Sequence, residues 1–235
     1  EFMAALMTSI MDNVTKVSEY ILACRNMGIG ILPPDINEGV SGFSVSGNSI
    51  RYGLSAIKSV GRAVVDVIIS EREPGGPFST LEDFVSRMSN REVNKRTLES
   101  FIKSGSLDSL PGTRKQKLYV SSELLENKAR EKKTVMEGQM SFFDIAPEED
   151  KGNFQVSFPD VGEFDKETLL AFEKETLGIY VSGHPMEAYQ ELWQKNVTAR
   201  TSDFIVDEDG HTVVEDNSIV VVGGMITAKK VKTTR

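Results

Sequence analysis

Residues with catalytic or metal-binding chemistry are sparse and scattered in this sequence. The two histidines, His184 and His211, and the single cysteine, Cys24, lie far apart and do not have the spacing of metal ligands. The acidic runs Glu148–Asp150 and Asp207–Asp209 fall in polar stretches, where solvated carboxylates are the simpler interpretation. A phosphate-binding sequence of the P-loop type is absent from the chain. The residues therefore predict neither a catalytic site nor a metal or cofactor site within this segment.

Residues suited to binding are better represented, first in a short turn made of Lys58, Ser59, Val60, Gly61 and Arg62. Small residues allow close approach to another surface, and the helix that follows begins with free N–H groups that can hold a phosphate. This is the pattern of the helix-hairpin-helix motif, which contacts the DNA backbone without reading its sequence. The motif usually carries glycine where this chain has Ser59. An ordinary helix–loop–helix corner explains this segment alone equally well.

A second turn of the same kind follows about 45 residues later, and a basic helix comes after it. Lys103, Ser104 and Gly105 form the turn, whereas Arg114 and Lys115 begin the helix. Two hairpins at this separation, the second beside a basic run, support each other as a tandem DNA-binding unit. The alternative for the basic residues is a solvated helix face.

A pair of adjacent aromatic residues lies in an otherwise polar and acidic stretch, in the pentapeptide Gln139, Met140, Ser141, Phe142 and Phe143. Exposed apolar residues in such a stretch are typical of an anchor for a pocket on a partner protein. A glutamine followed three and four residues later by two aromatics has the form of a sliding-clamp peptide. The alternative is that both rings pack against their own domain.

Charge is distributed unevenly along the 235 residues, whose net charge is −8. Arg91–Lys133 holds eleven lysines or arginines against six acids, whereas Thr134–Leu177 holds three against eleven. The net acidity argues against a simple basic nucleic-acid binder and favours separate local tasks. The single cysteine excludes an internal disulfide and predicts a cytoplasmic protein. Apolar runs are all too short to span a bilayer, so we expect no membrane partner.

Apolar residues at helical spacing predict a mainly α fold with small β elements. Asp12 or Asn13 is expected to cap an early helix, Thr80 a short helix, and Thr113 a long charged helix. Residues 54–73 are predicted to form two helices that meet at the first turn.

The β elements are predicted at two places. A hairpin is expected around residues 46–49. The β-branched, glycine-kinked residues 218–227 resemble the first strand of a small barrel. Because the chain begins without methionine and ends just after this strand-like run, we expect it to be a fragment of a longer protein.

Several blocks occur in a recognisable order, namely Glu1–Ser9, Leu32–Asn37, Gly53–Gly61, Val93–Gly105 and Phe172–Pro185. Over nearly its whole length the sequence resembles the alpha subunits of bacterial DNA polymerase III, from the late fingers region into the clamp-binding domain. The resemblance places the turn at residues 58–62 on a DNA-binding hairpin and residues 139–143 at the internal clamp-binding motif. It also implies that the catalytic palm aspartates lie upstream, so no catalytic residue is assigned to this chain.

The resemblance implies a domain map and a set of partners. The predicted parts are 1–52, the end of the fingers with a β-hairpin; 53–133, a tandem helix-hairpin-helix unit; 134–160, an acidic linker with the clamp peptide; 161–200, a helical segment; and 201–235, the start of a truncated OB-fold. Duplex DNA backbone, the sliding clamp and other replicase subunits are the expected partners. Magnesium is expected only for the whole polymerase.

Two other functions are compatible with the motifs. One is a stand-alone tandem helix-hairpin-helix protein of repair or recombination that only binds DNA. The other is a scaffold whose hairpins contact proteins. Salt-sensitive duplex binding distinguishes DNA binding from the scaffold.

Overall fold

The computed structural model describes residues 1–88, 93–136, 157–206, 211–226 and 229–232, with the backbone alone at 131–136. The chain forms two compact units, Glu1–Ser182 and Gly183–Arg235. The helices of the described ranges are α1 (Phe2–Ser9), α2 (Val14–Asn26), α3 (Arg62–Gly75), α4 (Leu81–Arg87), α5 (Lys95–Lys103), α6 (Arg114–Met136), α7 (Lys166–Leu177) and α8 (Gln190–Asn196). Within these ranges, helix lengths and compositions do not meet the requirements of a bilayer crossing.

Side-chain caps begin several of these helices where the sequence predicts them. The Asn13 carboxamide accepts a hydrogen bond from the Lys16 N–H at 3.1 Å. Thr80 caps α4 through the Asp83 N–H. Thr113 and Gln116 exchange reciprocal side-chain-to-backbone bonds at the start of α6, which form a capping box. These short-range contacts satisfy N–H groups that have no partner inside the helix.

A three-stranded sheet comprises β1 (Gly30–Leu32), β2 (Ser44–Ser46) and β3 (Ser49–Arg51) in the order β1-β3-β2. The predicted hairpin is present, since β2 and β3 are antiparallel with Ser46 opposite Ser49. Strand β1 pairs with β3 in parallel. Beyond β3, a three-residue 3₁₀ turn at Leu54–Ala56 takes the place of the predicted first helix. The turn is limited to these three residues, and the backbone is extended at Gly53 before it and at Ile57 after it.

The hydrophobic core of the first unit is one buried cluster that extends from Ala4 to Ile179 and includes residues of α3, α4, α5 and α6. Phe84 is central to this core, because its ring packs edge-on against Phe78 at 5.1 Å and against Phe101 at 5.9 Å. Val65 and Ile68 of α3 are fully buried in the same cluster. Edge-to-face aromatic pairs add about 0.5–1.5 kcal/mol beyond the burial of their area. This core holds the two predicted hairpins in one rigid frame.

The last turn of α7, residues 173–177, is joined to distant parts of the first unit. The Tyr52 hydroxyl donates to the Leu177 carbonyl at 2.9 Å, and burial raises the pKa of Tyr52 above its ordinary value. Glu173, only 1% exposed, accepts the N–H groups of Val181 and Ser182. Gly178 ends the helix in the left-handed conformation, which glycine adopts without strain. A segment far along the sequence thus packs on the region of the first hairpin.

The second unit contains a 3₁₀ turn at Pro185–Tyr189 followed by α8. His184 caps this turn, because its Nδ1 accepts from the Met186 N–H at 3.1 Å. Trp193 donates its indole N–H to the Gly223 carbonyl at 3.1 Å. The described residues of 201–235 contain no strand, so the start of an OB-fold stays a prediction. The mainly α architecture with small β elements is confirmed.

Candidate nucleic-acid interface

The first hairpin, residues 58–62, connects the 3₁₀ turn to α3 and faces solvent. Lys58, Ser59, Gly61 and Arg62 are exposed, whereas Val60 is only 7% exposed and belongs to the core. The Val60 N–H also donates to the Ile57 carbonyl at 3.1 Å, which closes the turn. The hairpin therefore offers polar backbone and two cations on a fixed apolar anchor.

The start of α3 has the properties of an anion-binding point. Gly61 is the N-cap residue, and it makes no side-chain capping bond. A Cβ atom at Gly61 would meet nothing within 4 Å, so the approach to the helix start is open. The first N–H groups of a helix have no partner inside it, and the helix dipole adds positive potential there. A phosphate can accept from these groups while Lys58 and Arg62 contribute charge.

Backbone and side-chain bonds from other helices hold this hairpin in place. The Lys58 N–H donates to the Thr176 carbonyl of α7 at 2.9 Å. The Thr97 hydroxyl of α5 lies 3.5 Å from the Ser59 carbonyl, at the limit of a hydrogen bond. These contacts fix the turn before any ligand binds, which lowers the entropy cost of binding.

Ser59 has a φ of +69°, in the left-handed region that favours glycine. This conformation explains why glycine is usual at this place in the motif. Replacing Ser59 by glycine should raise the free energy of unfolding by about 0.5–1 kcal/mol, because relief of backbone strain exceeds the added entropy of the unfolded chain. Ser59→Val should lower it by about 1–2 kcal/mol. Urea unfolding measures both, and Ser59→Ala, which is expected to be near neutral, controls for the hydroxyl. Equal free energies of unfolding for the glycine and valine variants would contradict backbone strain at Ser59.

The second predicted hairpin, residues 103–105, is positioned differently. Ser104 is fully buried and Gly105 is buried in the turn between α5 and α6. The Ser106 carbonyl accepts from the Ile36 N–H at 2.7 Å, so the segment that follows β1 covers this turn. A buried turn cannot contact a DNA backbone in this conformation. The predicted DNA contacts of Ser104 and Gly105 therefore have no support from the geometry, and the two hairpins are not equivalent.

Arg114 points inward from the start of α6. Its side chain makes a multiple contact with the Asp108 carboxylate, including an Nη2–Oδ2 distance of 2.6 Å, and reaches the Lys103 carbonyl at 3.2 Å. Glu173 lies 3.9 Å from the same guanidinium. These partners use the donors that would otherwise bind phosphate. The structure thus assigns Arg114 an internal role, and its contact with DNA stays an unsupported prediction.

Lys103 and Lys115 keep part of their charge accessible. The Lys103 ammonium is 3.1 Å from the Glu175 carboxylate and 5.1 Å from the centre of the Phe172 ring. The Lys115 ammonium lies 5.7 Å from the centre of the Phe164 ring. Both are half-buried, so each is less available to DNA than the cations of the first hairpin.

Lys117 has a role that the sequence does not reveal. Its side chain is 1% exposed, and its ammonium donates to the carbonyls of Leu107 at 2.9 Å and Leu110 at 2.8 Å. Burial lowers the pKa of Lys117 from its ordinary value, although Asp108 and Glu163 oppose that shift. The basic run around residue 117 suggested a DNA-facing or solvated lysine. Only the tertiary contacts show that Lys117 holds the loop between α5 and α6 in place.

Two further cations, Lys95 and Arg96, are exposed in the first turn of α5. Arg96 shares a polar cleft of about 220 Å³ with Lys58 and Ser59. The sequence signal that could have found them is a basic pair directly after the helix cap Asn94. The predicted clamp peptide, Gln139 to Phe143, lies outside the described residues.

Within the described ranges, histidine, cysteine and acidic side chains do not form any group of three that could hold a metal ion.

Comparison with known proteins gives two results. Residues 28–117 match a family described as helix-hairpin-helix motif. The chain is 37% identical over its whole length to a DNA polymerase III subunit alpha from Borreliella burgdorferi, and 35% identical over its whole length to that of Vibrio cholerae. It is 41% identical over 82% of its length to that of Thermus aquaticus.

The matched part of these relatives is limited. The chain spans 20% of the Borreliella burgdorferi and Vibrio cholerae proteins and 15% of the Thermus aquaticus protein. The match to the helix-hairpin-helix family includes both predicted turns.

Proposed function

This chain belongs to the family of DNA polymerase III alpha subunits, and on that premise we propose that it holds duplex DNA for a replicative polymerase. The observation that carries the proposal is the exposed first hairpin at the uncapped start of α3. Lys58 and Arg62 flank N–H groups that suit a phosphate oxygen, and none of these groups reads a base edge. The resulting grip is independent of sequence, as a polymerase that copies any template requires.

The reaction of the whole polymerase would be nucleotidyl transfer from deoxynucleotides to a DNA primer. We assign its catalytic aspartates and magnesium to parts of the polymerase outside these 235 residues. Duplex held by the first hairpin would stay aligned with that distant site, so the contribution of this chain is positioning.

Tethering to the sliding clamp is the second part of the proposal. The peptide Gln139, Met140, Ser141, Phe142 and Phe143 supplies two adjacent rings and a polar residue in an acidic stretch. The rings would fill an apolar pocket on the clamp while Gln139 makes polar contacts at its edge. A tether of this kind raises the effective concentration of polymerase at its template. Other replicase subunits are further expected partners, and a cytoplasmic location stays a prediction.

Removing both cations of the first hairpin tests the DNA-binding proposal. We expect Lys58→Ala/Arg62→Ala to weaken duplex binding by about 10- to 100-fold at low salt. The slope of log affinity against log salt should fall by about 2, because two phosphate contacts are lost. Fluorescence anisotropy with a labelled duplex at several salt concentrations measures both quantities.

The matched control exchanges the two residues, Lys58→Arg/Arg62→Lys, and should retain the wild-type salt slope. Wild-type affinity in the alanine variant would overturn the proposal. Duplex binding that does not depend on salt, or no binding by the wild-type chain, would favour a protein-interaction scaffold.

A further inference from the structure

The first turn of α5 lies directly beside the first hairpin. The Asn94 side chain caps this helix through the Thr97 N–H at 3.0 Å. The Thr97 hydroxyl in turn approaches the Ser59 carbonyl at 3.5 Å. Thr97 is only 3% exposed, so this junction is part of the packed frame. Side chains that leave the first turn of α5 are therefore held at a constant position relative to the hairpin.

A polar cleft of about 220 Å³ joins the two elements. Lys58 of the hairpin and Arg96 and Lys103 of α5 contribute cations to its lining, and Glu99 and Glu175 contribute acids. Lys103 is neutralised by Glu175 at 3.1 Å. The cleft therefore connects Lys58 and Arg96 across one polar surface.

Four exposed cations lie on the first hairpin and on the first turn of α5: Lys58, Arg62, Lys95 and Arg96. In the part of the chain that the structure describes, no carboxylate lies within 4.0 Å of any of them. Arg114, Lys103 and Arg87, in contrast, all have carboxylate partners. Cations left without an internal partner are the ones that release counterions when they meet phosphate.

We propose that Lys95 and Arg96 form a second contact with the duplex backbone, next to the first hairpin. This inference rests on the proposed function and adds residues to the same DNA-binding surface. In a symmetric tandem unit, a second exposed hairpin would make the second contact with DNA. Here the second hairpin is buried, so we assign that contact to Lys95 and Arg96 instead. Phosphates along the duplex backbone would meet the start of α3 with Lys58 and Arg62, and the first turn of α5 with Lys95 and Arg96.

Duplex titration of the 235-residue chain with Lys95→Ala/Arg96→Ala tests this second contact. We expect affinity at low salt to fall by about 10-fold or more and the salt slope to fall by about 2. Lys16→Ala/Lys195→Ala is the control, since it removes two exposed cations from α2 and α8 and changes the net charge equally. The control should keep the wild-type slope.

The outcomes separate this contact from the proposed function. If Lys58→Ala/Arg62→Ala weakens binding but Lys95→Ala/Arg96→Ala leaves the slope unchanged, the second contact is overturned and the proposed function stands. If neither pair has an effect, the proposed function fails. A control that loses as much affinity as Lys95→Ala/Arg96→Ala would show a net-charge effect and would also overturn the second contact.

A fold check keeps the test decisive. Both side chains are exposed, so the urea midpoint should stay at the wild-type value. If the alanine variant unfolds, Lys95→Gln/Arg96→Gln replaces it, because glutamine has a similar helix propensity to lysine and arginine. The exchange Lys95→Arg/Arg96→Lys keeps both charges and must retain the wild-type slope. If the slope of log affinity against log salt fell in that exchange variant, a contact with the DNA backbone made by charge alone would be contradicted.

Discussion

Replacing Lys117 by alanine is expected to lower the free energy of unfolding by about 3 kcal/mol. The substitution removes two hydrogen bonds and leaves the buried carbonyls of Leu107 and Leu110 without their donor. It also removes a long alkyl chain from a site that is 1% exposed, which leaves a cavity. Relief of the desolvated charge offsets part of the cost but does not restore either contact. Urea unfolding of the 235-residue chain measures the difference.

Two variants separate the causes of this loss. Lys117→Met keeps most of the packing volume and loses only the ammonium, so it should cost about 1–2 kcal/mol. Lys115→Ala removes a neighbouring lysine whose ammonium contacts no buried carbonyl among the described residues. It should change stability by about 0.5 kcal/mol or less. If Lys117→Ala were as stable as Lys115→Ala, the buried role of Lys117 would be wrong.

The lowered pKa of Lys117 gives this prediction a pH dependence. Its pKa in the folded chain lies below the ordinary value of 10.5. In the window between the two values the unfolded chain binds more protons, so stability rises with pH. The stabilising contribution is fully present above the unfolded pKa and is lost as the pH falls through the folded pKa. Lys117→Met lacks this titration, and the stability of the wild type relative to it should increase as pH rises through the window.

Changing Phe142 and Phe143 together to alanine is expected to weaken binding to the sliding clamp by about 100-fold or more. Each ring that enters an apolar pocket on the clamp would remove a large apolar area from water, and anchoring aromatics at an interface are worth about 2 kcal/mol or more each. The loss should appear mainly as faster dissociation, since the substitution adds no electrostatic barrier to association. Surface plasmon resonance with immobilised clamp measures both rates.

The acidic stretch supplies a matched control for the clamp experiment. Phe154→Ala removes an aromatic from the same stretch but outside the pentapeptide, and it should leave clamp affinity unchanged. A synthetic peptide that spans residues 137–146 should compete with the chain for the clamp. Unchanged affinity of the Phe142→Ala/Phe143→Ala variant would remove the pentapeptide from the proposed function, while the DNA-binding part would still stand on its own titration.

Local features of this chain are predictable from sequence because short-range forces decide them. Asn13, Thr80 and Thr113 cap their helices as expected, since a capping side chain needs only a donor two or three residues away. The hairpin between β2 and β3 likewise depends on a turn of two residues. The family was also evident from ordered blocks of residues, and homology along the chain confirms it.

The sequence does not predict that the first hairpin is exposed and the second is buried. Both turns have small residues, a glycine and nearby cations, so their local sequences are similar. Contacts from far along the chain decide which one meets solvent. The segment around Ile36 covers the second turn, because the Ile36 N–H donates to the Ser106 carbonyl. Thr176 instead holds the backbone of the first turn through the Lys58 N–H, and the side chains of Lys58 and Arg62 stay exposed. Burial is a property of the whole packed unit, and a local pattern cannot encode it.

By itself, then, the sequence determined most of the helices, the caps Asn13, Thr80 and Thr113, the β-hairpin, the family and the candidate first hairpin at residues 58–62, but not the 3₁₀ turn at Leu54–Ala56. Tertiary structure alone decided that Lys117 is buried, that Arg114 turns toward Asp108, and that Arg96 shares a cleft with Lys58 and Ser59. The physical reason is that a cation binds whichever acceptor the fold brings within reach. Inside the core that acceptor is a carbonyl or carboxylate of the same chain, and at the surface the cation stays available for phosphate.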